Sequence, residues 1–359
     1  MKQKFYIGTY TEPIRFGTGE ILIGKGKGIY FSELNDDGKL IVKDQVTKAA
    51  NPSFLAVSSD GAYLCAVNEL KEYNGEESGC ISIFHIEDME GRLMLTDMKP
   101  THGQDPCHVA FCKNKKIVVS NFMSGSICSC EVDRNGKLKA GAFIQHQGSS
   151  IHPIRQKGPH AHSCICIPET DKILIPDLGM DYLMVYEWMN DGNLEFRKEE
   201  SYKCLPGSGP RFGEFNEKKD LLYVINELGS AITVLKYNRD TGKMSSIQQI
   251  STLPNPCENI CADLHMTADG RFLYASNRGH DSITGFAVND NGKLDWLFNI
   301  PCGGKTPRNF AIEPEGRYLL VGNQDSDEIV SFSINLQDGS LREVSRTKIP
   351  TPVCICPVG

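Results

Sequence analysis

No apolar run in this chain approaches the roughly 18 residues that a helix needs to cross a bilayer, and the opening stretch MKQKFYIGTYTEP holds no long apolar leader. The expectation is a cytoplasmic protein with no membrane partner. A basic excess is missing as well. Lys and Arg number 38 against 45 Asp and Glu, a net charge of −7, so nucleic acid, which binds to a basic field, is not an expected partner. No long segment repeats its apolar residues every 3.6 positions, which removes helical bundles. The glycines of Gly24-Lys25-Gly26-Lys27-Gly28 join two strands and open no helix, so the phosphate cradle of nucleotide-binding proteins is absent and no cofactor is expected.

Cysteine, in contrast, is abundant at 14 residues. The pairs Cys128/Cys130, Cys164/Cys166 and Cys354/Cys356 are each one residue apart within strand-like alternation. Residues two apart share one face of a strand, and sulfurs stacked that way are poorly placed to bond each other. Reduced thiols filling gaps between sheets are the better reading, and a reducing cytoplasm agrees with it.

A short pattern recurs seven times: a turn residue, Gly, a polar residue, then Leu or Met. Its glycines are Gly38, Gly91, Gly136, Gly192, Gly242, Gly292 and Gly339, a spacing of about 50 residues, which is a propeller-blade period. A second pattern keeps the same step. Apolar runs of strand length end in Asn68, Asn121, Asn226, Asn277 and Asn323, with Asp177 and Thr9 in the same slot. Each repeat therefore reads as four antiparallel strands, labelled a to d from channel to rim. The fold expected is all-β: a seven-bladed β-propeller forming one domain over 1–359. The first repeat begins at a b-type strand, Phe5 to Thr9, and the tail Thr351 to Val358 supplies its strand a, closing the ring.

Strand a leaves, and strand b returns to, the same face of such a disc. Residues opening strand a and residues following strand b then gather at one mouth of the channel. The first set holds His108, His160, His162, Arg211 and Arg308; the second holds Glu69, Asp177, Glu227, Arg278 and Gln324. That is a concentration of chemistry on loops carried by a rigid scaffold.

The segments GPHAHSCICIPETDKILIPDLGMDYLMVYEW (158–188), GSGPRFGEFNEKKDLLYVINELGSAITVLKY (207–237), DLHMTADGRFLYASNRGHDSITGF (263–286) and PRNFAIEPEGRYLLVGNQDSDEIVSF (307–332), with YIGTYT at 6–11, resemble the propeller lactonase family. That family includes propeller-type 6-phosphogluconolactonases and the fungal carboxymuconate cyclase. The resemblance implies a metal-independent enzyme that opens or closes a lactone ring. It also implies an active site of one or both of His160 and His162 with Arg211, Glu227 and Arg278. Relatives usually carry His after the Gly-Pro-Arg, where this chain has Phe212.

Opening a lactone at neutral pH takes an activated water, a stabilised oxyanion and an anchor for the rest of the substrate. Glu227 or one of the histidines is the candidate base, and Arg211 or Arg278 the oxyanion partner. Arg308, Lys305 and Arg155 are candidates for gripping a phosphate or carboxylate. His108, Glu69, Asp177 and Gln324 are candidate substrate contacts. Plainer roles compete: Arg211 pairing Glu227 as a structural salt bridge, Arg278 bonding loop carbonyls, and the Asn series capping blade corners. A metal centre is not expected, because His160, His162, Cys164 and Cys166 on one straight strand would spread over about 20 Å and cannot converge on a tetrahedral ion. The substrate expected is a sugar-acid lactone, 6-phosphoglucono-1,5-lactone first, with a muconate-type lactone or a non-enzymatic partner-binding propeller as rivals.

Overall fold

The computed structural model describes residues 3–16, 19–216, 218 and 220–358; the very ends of the 1–359 span fall outside them. Seven antiparallel sheets follow one another along the chain as blades. Blade 1 is closed by the two ends of the chain, in the strand order Pro352–Val358, Gln3–Thr9, Ile29–Leu34, Leu40–Thr47. Its register runs from Lys4 opposite Val358 to Thr9 opposite Pro352. The other blades span 52–100, 106–145, 165–203, 210–251, 260–301 and 307–348.

All seven repeated turn glycines have positive φ, between 69° and 86°, the conformation that only Gly adopts freely. These turns also key into the preceding blade. The Tyr223 hydroxyl donates to the Gly292 carbonyl at 2.7 Å, Tyr274 to Gly339 at 2.8 Å, and Tyr318 across the closure to Asp36 at 2.7 Å. Apolar packing follows the seams. Leu221, Tyr223 and Val234 of blade 5 meet Cys261, Leu273 and Phe286 of blade 6, while Phe5, Ile7 and Tyr30 of blade 1 meet Ala311, Leu320 and Ile329 of blade 7. A blade lies between two neighbours, so its second strand is covered on both faces: Tyr63–Asn68 and Leu221–Asn226 are buried at every position. This accounts for the continuous apolar runs in the sequence.

All fourteen cysteines are free thiols, and Cys128 and Cys130 sit side by side in the seam between blades 2 and 3. Two features depart from the regular repeat. Strand a of blade 4 is only Ile165–Cys166, so His160 and His162 precede it in irregular backbone and do not share a strand face as the alternation suggested. A hairpin, Pro13–Arg15 with Ile21–Ile23, is inserted in blade 1 between its second and third strands.

Gly292 and Gly61 separate the two constraints on turn glycines. Both have positive φ, but a Cβ at Gly292 would meet Leu221 Cδ1 of blade 5 at 1.8 Å, whereas one at Gly61 meets nothing within 4 Å. Gly292→Ala should therefore cost about 1 kcal/mol or more beyond Gly61→Ala in urea unfolding. Equal midpoints would mean that the turn does not key the blades together.

Candidate active site at the channel mouth

Blade corners set the frame. Asn68, Asn121, Asn277 and Asn323 each donate from the side-chain amide to a carbonyl just beyond the fourth strand of the preceding blade: Ala50 (2.6 Å), Thr101 (3.3 Å), Thr252 (3.2 Å) and Cys302 (3.2 Å). Asn226 instead bonds within its own blade, to the Ala231 carbonyl. Asp177 fills the slot in blade 4, and its place in the latch is taken by a histidine: His146 Nδ1 lies 2.7 Å from one carboxylate oxygen, while the His160 and Met180 amides donate to the other. Blades 1, 2, 3, 5 and 7 open strand a with a proline preceded by a residue at positive φ: Thr351, Asn51, Asp105, Gly209 and Thr306. Held in turns that the pre-proline position resists, Asp105 and Thr306 reach the channel mouth.

There a cavity of about 630 Å³ is lined by eight of the twelve candidate residues: Glu69, Arg155, His162, Arg211, Glu227, Arg278, Arg308 and Gln324. The other four stand elsewhere. The His160 ring stacks on Phe122 at 4.6 Å, with Nδ1 2.8 Å from the Phe122 carbonyl. Asp177 belongs to the corner latch, fully buried. His108 packs against Phe54, ring centroids 4.2 Å apart, and accepts the Cys164 amide through Nδ1. Lys305 is exposed, its backbone amide tied to Ser326 Oγ. Phe212 is also outside the lining: its ring packs between His108 and His265, 5.8 Å from each. The exchange of His for Phe at this position therefore does not touch the cavity wall.

One carboxylate organises the wall. Glu227 Oε1 accepts Arg155 Nη2 at 2.5 Å, and Oε2 accepts Arg211 Nε at 3.1 Å and Arg278 Nη2 at 2.8 Å. Arg211, Arg278 and Glu227 are all buried. The first strand of blade 6, Ile260–Met266, bulges between Cys261 and Leu264, and the freed carbonyls are used: Arg278 donates to Cys261 at 2.8 Å and Arg211 to Ala262. Both plain readings of these arginines thus describe contacts that exist, alongside their presence on the cavity wall. Burial pushes the Glu227 pKa up, but Arg278, Arg155 and Arg211 outweigh it and hold the group well below the usual carboxylate range. Burial lowers the Arg278 pKa to about 10 against the pull of Glu227. Burial, helped by Arg211, takes His162 well below its ordinary value, so the ring is neutral at pH 7; its Nδ1 has no hydrogen-bond partner.

Across the cavity stands a second charged group. Arg308 lies over the rings of Tyr10 and Phe16, at 5.5 and 5.6 Å, and 4.0 Å from Glu69 Oε1. The Tyr10 hydroxyl donates to Glu69 Oε2 at 2.8 Å. Asp105, paired with Lys71, has its pKa raised to about 6 by burial and by Glu69. The inserted hairpin adds Phe16 and Leu22 to the lining. Asp105, Phe16, Leu22, Thr306 and Asp325 were not among the sequence candidates. The X-Pro step that opens strand a in five of the blades is the signal that marks Asp105 and Thr306; the hairpin has no counterpart in the repeat. Among the described residues no group of three or more His, Cys, Asp or Glu side chains converges as a metal site, and no helix is long and apolar enough to cross a membrane.

The chain matches the model of the family "Lactonase, 7-bladed beta-propeller" over residues 4–357 and belongs to that family. It is 30% identical over 357 residues to the 6-phosphogluconolactonase of Bacillus subtilis, covering 98% of this chain and 97% of the relative. With the 6-phosphogluconolactonase of Formosa agariphila it shares 34% identity over 328 residues, 89% and 92% of the two chains. The structure of the periplasmic gluconolactonase of Pseudomonas aeruginosa superimposes with a TM-score of 0.91 at 28% identity, covering 100% of this chain and 99% of that one.

Removing the central carboxylate charge tests how far the arginines depend on it. Glu227→Gln leaves buried guanidinium groups without their counter-ion, and stability should fall by about 3–5 kcal/mol. Sulfate, an anion able to enter the cluster, should restore part of the lost Tm in the variant and raise the Tm of the wild type by less. The Glu227 pKa is depressed, so its contribution is in place above the unfolded-state value near 4.5 and disappears as the pH falls towards the folded value. The stability gap between wild type and Glu227→Gln should accordingly narrow in acid. A gap unchanged by sulfate and by pH would mean that Glu227 is not the counter-ion of these arginines.

Proposed function

We propose that this protein hydrolyses the lactone of a sugar acid, with 6-phosphoglucono-1,5-lactone, named by its relatives, as the first substrate to assay. The observation that carries the reading is the single carboxylate of Glu227 shared by three arginines beside a neutral, unpartnered His162, all on one cavity wall. The cluster carries two positive charges in excess and can accept the carbonyl oxygen of a lactone through Arg211 or Arg278. His162 takes a proton from water as that water adds to the carbonyl carbon, and the arginines hold the oxyanion that forms. Collapse of the intermediate breaks the ring C–O bond, and the departing alkoxide takes the proton back from His162. Glu227, held ionised by its neighbours, is a weak base; in this reading it positions the arginines and steadies the imidazolium.

Arg308, across the cavity from the Glu227 cluster, is the cation suited to an anionic group at the far end of the substrate; Arg155 belongs to the cluster, and Lys305 lies outside the lining. No metal enters the reaction scheme. A cytoplasmic setting accompanies a phosphosugar substrate; the P. aeruginosa neighbour is described as periplasmic.

The test is hydrolysis of freshly made 6-phosphoglucono-1,5-lactone with EDTA present, against a no-enzyme blank. His162→Asn should lower kcat by about 10²-fold or more, and Arg278→Ala by a similar factor. The His162 pKa is depressed, so the neutral base persists as the pH falls, and kcat/KM should stay level between pH 8 and 6. A rate no better than the blank from folded protein would reject this lactone. Full activity in His162→Asn would remove the assigned base.

A further inference from the structure

The cavity has two unlike halves. Arg155, His162, Arg211, Glu227 and Arg278 come from blades 5 and 6 and the segment leading into blade 4. Glu69, Asp105, Arg308, Gln324 and Asp325 come from blades 2, 3 and 7, on the other side of the ring. The first half carries the surplus of positive charge. The second is rich in acceptors, and two of these lack a donor. Asp105 is 4% exposed and Lys71 holds one of its carboxylate oxygens, but its Oδ1 has no partner. Gln324 is 3% exposed and donates its amide to Asp325 Oδ1 at 2.9 Å, and its Oε1 likewise has no partner. Glu69 Oε1 has only Arg308, at 4.0 Å.

Buried acceptors without donors are uncommon and call for an explanation. Here both belong to residues of a cavity wall that faces the proposed reacting centre. From this arrangement we infer that Asp105, Glu69 and Gln324 form a hydroxyl-recognition wall, which selects a polyhydroxylated lactone over one with a bare ring. The inference rests on the lactonase reading and deepens it. Each ring hydroxyl brings a donor, which is what this wall lacks. A bare ring brings none and leaves the acceptors unsatisfied. A site built to bond hydroxyl groups rejects analogues lacking them far more strongly than an apolar pocket rejects a change in size.

Asp105 is thus a specificity residue, distinct from the arginine and histidine groups that act on the carbonyl. The two roles separate kinetically. Glucono-1,5-lactone and δ-valerolactone share a ring and differ in their hydroxyl groups. The wild type should favour the former in kcat/KM by about 10²-fold or more. Asp105→Ala should cut that preference about tenfold, by raising KM for glucono-1,5-lactone more than for δ-valerolactone. Asp105→Asn, which keeps the shape and one acceptor, guards against a folding artefact and should fall between the two.

A second measurement is independent of turnover: thermal protection by D-gluconate against valerate. Gluconate should raise the Tm of the wild type and not that of Asp105→Ala. If glucono-1,5-lactone is hydrolysed but the preference is absent, or survives in Asp105→Ala, the hydroxyl wall is wrong and the lactonase reading stands. If neither lactone is hydrolysed yet gluconate protects only the protein with Asp105 intact, the wall stands and hydrolysis is wrong. Absence of both effects overturns both.

Discussion

Every blade of this molecule is stabilised mainly by its neighbours. The second strands of blades 2 and 5 are buried along their whole length, and apolar clusters straddle the joins between successive sheets. A sheet with two apolar faces must be covered twice, and in a linear array the end sheets would each keep one face in water. Closure removes that problem. The pairing of Pro352–Val358 with Gln3–Thr9 completes the first sheet, and the seam between blades 7 and 1 then packs like the others. The channel mouth inherits its rigidity from this ring, since strands from every blade arrive there at fixed spacing.

Rigidity matters because the mouth holds charge that water would otherwise solvate. Three guanidinium groups share one carboxylate, and two of them are further tied to carbonyls released by the bulge in blade 6. Such a cluster is expensive to assemble, and so is hard to account for as a stabilising device alone. It makes better sense as a preorganised field, costly in the free protein and useful when negative charge develops on a bound molecule. The neutral state of His162 has the same origin: the burial and the positive neighbours that make the cluster costly also keep the imidazole unprotonated.

The sequence disclosed the architecture because seven turns need a residue tolerant of positive φ, and Gly is the residue that supplies it. It disclosed eight residues of the cavity wall because propeller topology converts sequence position into place. Glu227 and Arg278 stand directly after or at the end of a regular second strand, and Arg211 stands near the start of a regular first strand. The reasoning weakened where the repeat itself is irregular. Alternation put His160 beside His162, but strand a of blade 4 begins only at Ile165, and between them the chain sends one ring to Phe122 and the other to the cavity. Asp177 looked like a rim carboxylate because no sequence feature announces that His146 would reach across from the preceding blade. The hairpin bearing Phe16 and Leu22 was hidden for the opposite reason: an insertion has no repeat to be compared with.

The fourteen thiols, eleven of them buried and most of those packed into blade seams, also bear on how the molecule comes apart. While the ring is closed, most of them are shielded, and burial raises the pKa of Cys65, Cys128 and Cys354 far above that of an ordinary thiol. Opening the ring would release them together, and in air they would form mispaired disulfides faster than the sheets could find their register. Heating without reductant should then be a one-way process, and an apparent melting temperature would report the rate of opening instead of an equilibrium. A reductant that leaves the folded protein unchanged would decide whether an unfolded chain can return.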